Sequence, residues 1–203
     1  MQYIADVPSN RLTTANEIHI PVGKAVQFDL EAADVIHSFW APNFHGKKDL
    51  VPGHPTKTWF RAERSGVFRG QCAEFCGNQH AHMRFVIVAD PPDAYEKWYQ
   101  AQQQTPSPPT DDLQKHGQQV FLSTTCIMCH TVAGTSARAT IGPNLTHIAS
   151  RRMLAAGTTT NNIGHLAGWI IDPQKIKPGV LMPQHNFAPK DLQALLGYLE
   201  SLK

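Results

Sequence analysis

Two thiols, an imidazole and a thioether crowd into one short stretch of this 203-residue chain. Cys72 and Cys76 are followed by His80 and Met83, all within twelve residues. Thiolate, imidazole and thioether are soft ligands of the kind that select copper. A single blue copper takes one cysteine and two histidines, so the second cysteine predicts a centre with two metal ions. Because thiolates must lose their protons to bind, we expect metal uptake to release protons.

A second histidine for this centre has to come from elsewhere in the chain. His37, in Asp34-Val35-Ile36-His37-Ser38, follows the first clear strand and is the candidate. However, His37, Cys72, Cys76 and His80 also make a two-cysteine, two-histidine set of the kind that binds structural zinc. A Cys72–Cys76 disulfide is a weaker alternative. The residues alone leave copper and zinc open.

A second pair of cysteines lies in Cys126-Ile127-Met128-Cys129-His130, which is the attachment signature of a c-type haem. The two thiols form thioethers with the haem vinyl groups, and the histidine binds the iron. A zinc site would need two further ligands in a second cluster, and this half of the chain has no other cysteine. A thioredoxin-like pair would need a βαβ context, which the pattern lacks. The sequence therefore predicts covalent haem.

The second axial ligand of the iron is a separate question. Met182 is the preferred candidate because it lies in an irregular segment after Pro178-Gly179. A thioether ligand would stabilise ferrous iron and raise its reduction potential. A lone methionine is more often core filler than a ligand, so rivals stay open on the residues alone. These rivals are Met153, His147, His165 and His185.

The N-terminal half has the pattern of β-strands. Val26, Phe28 and Leu30 alternate with polar residues, as in a half-buried strand. Similar short segments follow at residues 56–62, 67–71 and 83–88. Several short strands separated by turn residues predict a sandwich or barrel. A short helix is expected after Pro91-Pro92, and we predict that this all-β domain covers residues 1–104.

The C-terminal half has the pattern of helices. Residues 105–110 are proline-rich and predict an extended linker. Asp111 and Asp112 suit a helix N-terminus, where negative charge is favoured. Leucines at helical spacing follow Pro189 near the end of the chain. The prediction is a multidomain protein in which the all-β sandwich is followed by an all-α domain, residues 111–203.

Composition excludes some classes of function. The net charge of +2 comes without a cluster of basic residues, so no nucleic-acid partner is expected. No apolar run reaches the 18 residues that a membrane helix needs, and the N-terminus has no signal-peptide pattern. The chain as given is therefore expected to be soluble.

From about residue 111 to 203 the chain resembles a class I cytochrome c. Besides the attachment motif, the matching residues are Gly117, Phe121, Gly142-Pro143-Asn144-Leu145, Trp169, Met182-Pro183 and Tyr198. The resemblance implies that the Pro143 carbonyl accepts a hydrogen bond from the iron-binding His130. It also implies that Met182 is the second axial ligand, ahead of its rivals.

From about Asn16 to Ala89 the chain is similar to subunit II of haem–copper oxidases, in the motif Cys-x-Glu-x-Cys-Gly-x-x-His-x-x-Met and the upstream Asp-Val-Ile-His-Ser-Phe-Trp. The resemblance implies a cupredoxin fold holding the two-copper CuA centre. Its implied ligands are the bridging Cys72 and Cys76, then His37 and His80 on one copper each, and finally Met83 and the Glu74 carbonyl. The Glu74 side chain would face a magnesium ion shared with the catalytic subunit.

Together the two halves resemble subunit II of caa-type cytochrome c oxidases. This resemblance implies an enzyme subunit that passes single electrons from an external donor, such as a soluble cytochrome or a quinol-oxidising complex, through haem to CuA. Catalytic subunit I would then reduce oxygen. The expected location is the periplasmic side of the bacterial inner membrane.

One departure from the family and two alternative functions bear on this interpretation. The family has an N-terminal membrane hairpin that this chain lacks, so we expect a soluble fragment in which Met1 serves as a start. The alternatives are the electron-entry subunit of a nitric oxide reductase, and a copper-binding or copper-delivery module with an appended haem.

Overall fold

The computed structural model describes residues 2–7 and 10–203, with side chains from Leu12 onwards. This part of the chain forms two compact units. Unit 1 contains residues 16–101 and 156–158, and unit 2 contains residues 2–15, 102–155 and 159–203. Within the residues described, no helix is both long enough and apolar enough to cross a membrane.

The strands of unit 1 form two sheets. They are β3 (Glu17–Pro21), β4 (Ala25–Leu30), β5 (His37–Trp40), β6 (Lys48–Leu50), β7 (Thr56–Arg61), β8 (Gly66–Cys72) and β9 (Arg84–Asp90). One sheet has the order β3-β9-β8-β5-β6, in which only β3 and β9 run parallel. The other pairs β4 with β7 in antiparallel fashion. All of the strands predicted from alternation are present.

The two sheets of unit 1 pack through phenylalanine rings. Phe28 of β4 stacks on Phe60 of β7 at 4.6 Å between centroids, and on Phe39 of β5 at 5.5 Å. Phe39 in turn stacks on Phe85 of β9 at 4.8 Å. Offset aromatic pairs at such distances add to the energy of burial. The contacts join the sheets into the sandwich that the sequence predicts.

A short helix, α1 (Pro92–Gln102), follows β9 as expected. It is held by His19 of β3, whose ring stacks on Trp98 with 3.9 Å between centroids and an angle of 11° between planes. The Nδ1 atom of the same ring lies 2.7 Å from an Asp90 carboxylate oxygen. His19 is therefore a structural histidine of the sheet edge.

Helices form the core of unit 2. They are α2 (Asp112–Ser123), α3 (Ile163–Ile171), α4 (Pro173–Ile176) and α5 (Pro189–Ser201). Asp111 caps α2, because its side chain accepts a hydrogen bond of 2.8 Å from the Gln114 backbone. Phe121 of α2 and Tyr198 of α5 are fully buried in one apolar cluster. Unit 2 also contains two hairpins, β1 (Gln2–Val7) with β2 (Asn10–Ala15) and β10 (Met153–Leu154) with β11 (Thr159–Thr160).

Candidate metal and haem sites

Neighbouring strands bring the first set of predicted ligands together. His37 begins β5, and Cys72 ends β8, its antiparallel neighbour. Beyond the end of this ladder, the Ala73 amide donates to the Ser38 carbonyl at 3.0 Å. The Cys72 amide donates to the Met83 carbonyl at 2.9 Å, which closes the loop between β8 and β9. The sheet therefore fixes the backbone at His37, Cys72 and Met83.

The loop between β8 and β9 folds back on itself to present the remaining ligands. Gly77 has a φ of +107°, a conformation that side chains disfavour, so glycine is needed at this turn. The His80 amide then donates to the Gly77 carbonyl at 3.0 Å and opens the short helical turn His80–His82. This turn directs the His80 ring towards the thiols.

The two thiols occupy the centre of the site, with 3.7 Å between their sulfur atoms. Cys72 Sγ lies 3.9 Å from His37 Nδ1 and 3.2 Å from the Glu74 carbonyl oxygen. Cys76 Sγ lies 3.7 Å from His80 Nδ1 and 3.8 Å from Met83 Sδ. All six predicted ligand residues therefore lie around one pair of sulfur atoms, with a separate histidine beside each.

Asp34 orients the His37 ring. The ring Nε2 donates to an Asp34 carboxylate oxygen at 2.8 Å, so Nδ1 keeps its lone pair and turns it towards Cys72. This hydrogen bond from His37 is the main reason that the pKa of Asp34 is lowered. Outer-sphere carboxylates of this kind fix the tautomer and orientation of a metal-binding histidine. Asp34 lies three residues before His37 in the sequence motif, but its type and position there do not by themselves indicate this role.

Burial keeps the Cys76 thiol protonated without metal. The pKa of Cys76 is raised to about 11, first by burial and then by the hydrogen bond with Cys72. A second thiolate 3.7 Å away would add like-charge repulsion, and bound cations would remove it. The donor set fits copper: a thioether beside thiolate and imidazole is typical of copper sites and outside the usual zinc set.

The Glu74 side chain pairs with a lysine. Its carboxylate lies 3.8 Å from the Lys47 ammonium, and both groups are about half exposed. Among the described residues, the only group of three metal-ligating side chains is His37 with Cys72 and Cys76. The magnesium ligand predicted at Glu74 therefore stays a prediction.

The haem-attachment motif forms a tight turn directly after α2. Thr125–Met128 is a 3-10 turn, and the amides of Cys129 and His130 both donate to the Cys126 carbonyl, at 3.2 and 3.0 Å. This turn places both thiols and the imidazole on one short piece of backbone. Cys126 packs against the helical core, and this burial raises the pKa of its thiol.

The His130 ring is held in the orientation that iron binding requires. Its Nδ1 donates to the Pro143 carbonyl at 2.8 Å, which leaves Nε2 with its lone pair for a metal. Gly142 permits this contact, because a Cβ there would lie 2.6 Å from the ring Cε1. Burial is the main cause that lowers the pKa of His130, and the nearby charge of Arg151 lowers it further.

Met182 and its rivals lie in different surroundings. Met182 packs against the helical core from an irregular segment. Both nitrogens of His147 face backbone carbonyls, at 2.7 and 3.1 Å, and His165 is exposed and bonded to its neighbour Thr160. Only His185 shares the segment of Met182, and its Nε2 lies 3.0 Å from the Thr125 hydroxyl. The geometry therefore favours Met182 over His147, His165 and His185, because these histidines already have hydrogen-bond partners.

Comparison with protein families matches each half of the chain. The family model described as cytochrome c oxidase subunit II, periplasmic domain, matches residues 2–90, and the cytochrome c model matches residues 114–203. The chain is thus similar to a subunit II periplasmic domain followed by a cytochrome c domain. The fold class predicted from the sequence is thus confirmed, and these two domains imply copper and haem c. The individual ligand residues remain a prediction.

Curated relatives match almost the whole length of the chain. Cytochrome c oxidase subunit 2 of Alkalihalophilus pseudofirmus is 42% identical over 98% of the chain and 57% of the relative. The corresponding protein of Bacillus sp. PS3 is 33% identical over 98% and 58%. The chain thus spans less than two thirds of these relatives. A solved periplasmic domain of subunit II from Bradyrhizobium japonicum covers 49% of the chain and 73% of its own length, with 35% identity and a TM-score of 0.42.

Proposed function

We propose that this chain is an electron-entry subunit of a terminal oxidase. An external donor, such as a soluble cytochrome or a quinol-oxidising complex, would reduce the haem, and the electron would pass through CuA to catalytic subunit I. Oxygen would be reduced in that partner, so the chain acts as an enzyme only within the complex. The observation that carries this proposal is the gathering of six ligand residues around two sulfur atoms in a chain that also carries a haem-attachment motif.

In the copper centre, Cys72 and Cys76 would hold two copper ions, and His37 and His80 would each bind one of them. Met83 and the Glu74 carbonyl would complete the ligand set. When bound, a thiolate-bridged copper pair accepts and donates single electrons. The protein supplies a rigid frame, because strand β8 holds Cys72 and Asp34 holds the His37 ring. A rigid ligand set lets the electron arrive and leave with little rearrangement of the protein.

In the haem domain, Cys126 and Cys129 would attach the cofactor, and His130 and Met182 would bind the iron. The haem supplies the one-electron redox chemistry, and the protein tunes its potential. Pro143 sets the orientation of the His130 ring, and the Met182 thioether favours ferrous iron. A raised potential suits a centre that receives electrons and feeds an oxidant.

The remaining elements of the proposal concern the assembled oxidase. The half-exposed Glu74 carboxylate is available to a magnesium ion at the surface of subunit I, if it leaves Lys47. The matching family model describes a periplasmic domain, and this supports a location on the periplasmic side of the inner membrane. The relatives named above are oxidase subunits, and this supports oxygen, and not nitric oxide, as the terminal acceptor.

Metal analysis with an optical spectrum tests the proposal on copper-reconstituted, haem-loaded chain. Two coppers and one iron per chain, with a thiolate-to-copper band beside the haem bands, are expected. One zinc and one iron with haem bands alone would contradict the copper centre. Ready loss of both coppers to a mild chelator would instead indicate a copper-delivery module. Capture of the catalytic subunit from solubilised membranes, followed by oxygen and nitric oxide assays, identifies the acceptor.

A further inference from the structure

The segment that carries Met182 has no regular structure of its own. It covers residues 177–188, between the end of α4 and the start of α5. A backbone without helix or sheet partners has to satisfy its polar groups in other ways. It also has many conformations available, and fixing each residue costs free energy. Whatever holds this segment therefore determines where the Met182 thioether lies.

On the N-terminal side, the holding group is one side chain of α4. Gln174 Nε2 donates to the Val180 carbonyl at 2.8 Å and to the Met182 carbonyl at 3.1 Å. Its Oε1 accepts from the Gly179 amide at 2.9 Å. A single half-buried amide thus makes three hydrogen bonds to the backbone of this segment, including one to Met182 itself. Only a side chain with both donor and acceptor atoms can make all three.

On the C-terminal side, the segment is tied to the haem-attachment turn. The His185 amide donates to the Ile171 carbonyl at 3.1 Å, and its ring Nε2 lies 3.0 Å from Thr125 Oγ1. Thr125 directly precedes the first haem cysteine, Cys126. The ring also stacks on Phe187, with 5.5 Å between centroids, and Phe187 packs against the helical core. The hydrogen bond therefore connects the Met182 segment to the turn that fixes the haem.

We propose that Gln174 and the Thr125–His185 pair are positioning residues that keep the Met182 thioether at the haem iron. This inference rests on the proposed function, in which Met182 is the axial ligand. A thioether is a weak, neutral ligand that competes with external ligands such as imidazole. Each anchor lowers the freedom of the segment and so favours the intramolecular ligand. Loss of an anchor increases the fraction of molecules in which the iron is open.

The first test uses the haem-loaded full chain and a charge-matched pair of variants. Gln174→Glu keeps the shape and the acceptor but removes both donated hydrogen bonds. Gln193→Glu makes the same chemical change at an exposed position of α5. Two lost hydrogen bonds predict that ferric Gln174→Glu binds imidazole about tenfold more tightly than the parent. Its methionine-to-iron charge-transfer band is expected to weaken, while Gln193→Glu keeps the parent values.

The second test removes the other anchor with little change of shape. Thr125→Val deletes the hydroxyl, and we expect an affinity for imidazole about fivefold higher than in the parent. Thr125→Ser keeps the hydroxyl and is expected to restore the parent affinity. This pair decides the proposal alone if Gln174→Glu does not yield haem protein.

The Met182→Ala background separates positioning from general loosening of the fold. With no thioether to displace, Gln174→Glu and Thr125→Val should leave the affinity for imidazole unchanged. An equal effect in both backgrounds, or parent-like values for both variants, would overturn the inference. If Met182→Ala itself keeps the charge-transfer band and the imidazole affinity, the ligand assignment is wrong, and the failure then lies in the proposed function.

Discussion

At the scale of single residues, the arrangement around Cys72 and Cys76 argues for two metal ions. His37 lies beside one sulfur and His80 beside the other, and each sulfur has one further weak donor. One tetrahedral zinc would use the two histidines and the two cysteines and leave Met83 and the Glu74 carbonyl without a purpose. Two ions bridged by both thiolates use every donor. The same residues predict measurable properties of the metal-free protein.

The first prediction concerns the reactivity of Cys76 without metal. Its pKa is raised to about 11, mainly by burial, so little thiolate exists near neutral pH. We expect Cys76 to react with iodoacetamide more slowly than an ordinary cysteine at pH 8, and the rate to rise as the pH approaches 11. Mass spectrometry of peptides from haem-loaded, copper-free protein measures the rate. A rate that levels off near pH 8 would contradict the prediction.

The same shift fixes the sign of its effect on folding. The thiol binds its proton more tightly in the folded chain than in the unfolded chain. Its contribution to stability is therefore fully present below pH 9, the ordinary pKa, and falls as the pH rises towards 11. Copper removes this dependence, because bound thiolates carry no proton to lose. Urea unfolding of the metal-free and copper-loaded forms between these pH values measures the difference.

The second prediction concerns Asp34. The Asp34→Asn substitution weakens the hydrogen bond that keeps the His37 Nδ1 lone pair directed at Cys72. Loss of such an outer-sphere carboxylate typically costs tenfold or more in metal affinity, so we expect a fall of about tenfold for copper. Competition with a chelator of known affinity measures it. Asp29→Asn, which removes a carboxylate paired with Lys57 on the surface, is the matched control and should keep the parent affinity.

At the scale of secondary-structure elements, the loop after the attachment turn positions His130, the predicted iron ligand. The Gly142 amide donates to the Cys129 carbonyl at 2.6 Å, and the next carbonyl, of Pro143, accepts the bond from His130. The backbone passes so close to the imidazole that a methyl group at Gly142 would strike the ring. The loop is therefore part of the predicted haem site, through its backbone.

The third prediction follows from this contact. In Gly142→Ala the new methyl displaces the His130 ring and weakens its bond to Pro143. A ring that loses this acceptor is a poorer electron donor to iron, so we expect a higher reduction potential with haem still attached. Redox titration measures it. Gly164→Ala adds a methyl in ordinary contact on α3 and serves as control. A lower potential in Gly142→Ala would contradict this account.

Periodic features of the fold could be predicted from the sequence, and contacts between distant segments could not. The alternation at Val26 to Leu30 and the leucine spacing after Pro189 report burial directly, and β4 and α5 lie there. Ligand spacing in one loop likewise predicted that Cys72 to Met83 come together. The stacking of His19 on Trp98 and the three bonds of Gln174 depend on tertiary contacts that no local pattern encodes. The domain boundaries at residues 104 and 111 also stay predictions.

At the scale of the whole molecule, each unit contains its own core and its own site. The predicted copper ligands lie entirely in unit 1, and the haem-attachment motif and Met182 lie entirely in unit 2. The phenylalanine stack of one unit and the helical cluster of the other share no residue. Each centre is therefore expected to tolerate loss of the other, and an electron relay can be tested one centre at a time.

The last prediction uses this independence. Cys76→Ser removes a bridging thiolate, so the thiolate-to-copper band should vanish while the haem spectrum and potential stay at parent values. Met182→Ala should leave the copper band intact and lower the haem potential by on the order of 100 mV, because ferrous iron loses its thioether.

In a relay from haem to copper, a lower haem potential increases the driving force for each transfer to copper. Rapid photoreduction of the haem in copper-loaded protein should therefore give copper reduction that is at least as fast in Met182→Ala as in the parent, and none in Cys76→Ser. If the reduced haem is reoxidised at the parent rate in Cys76→Ser, the electrons leave the haem by a path that does not include copper.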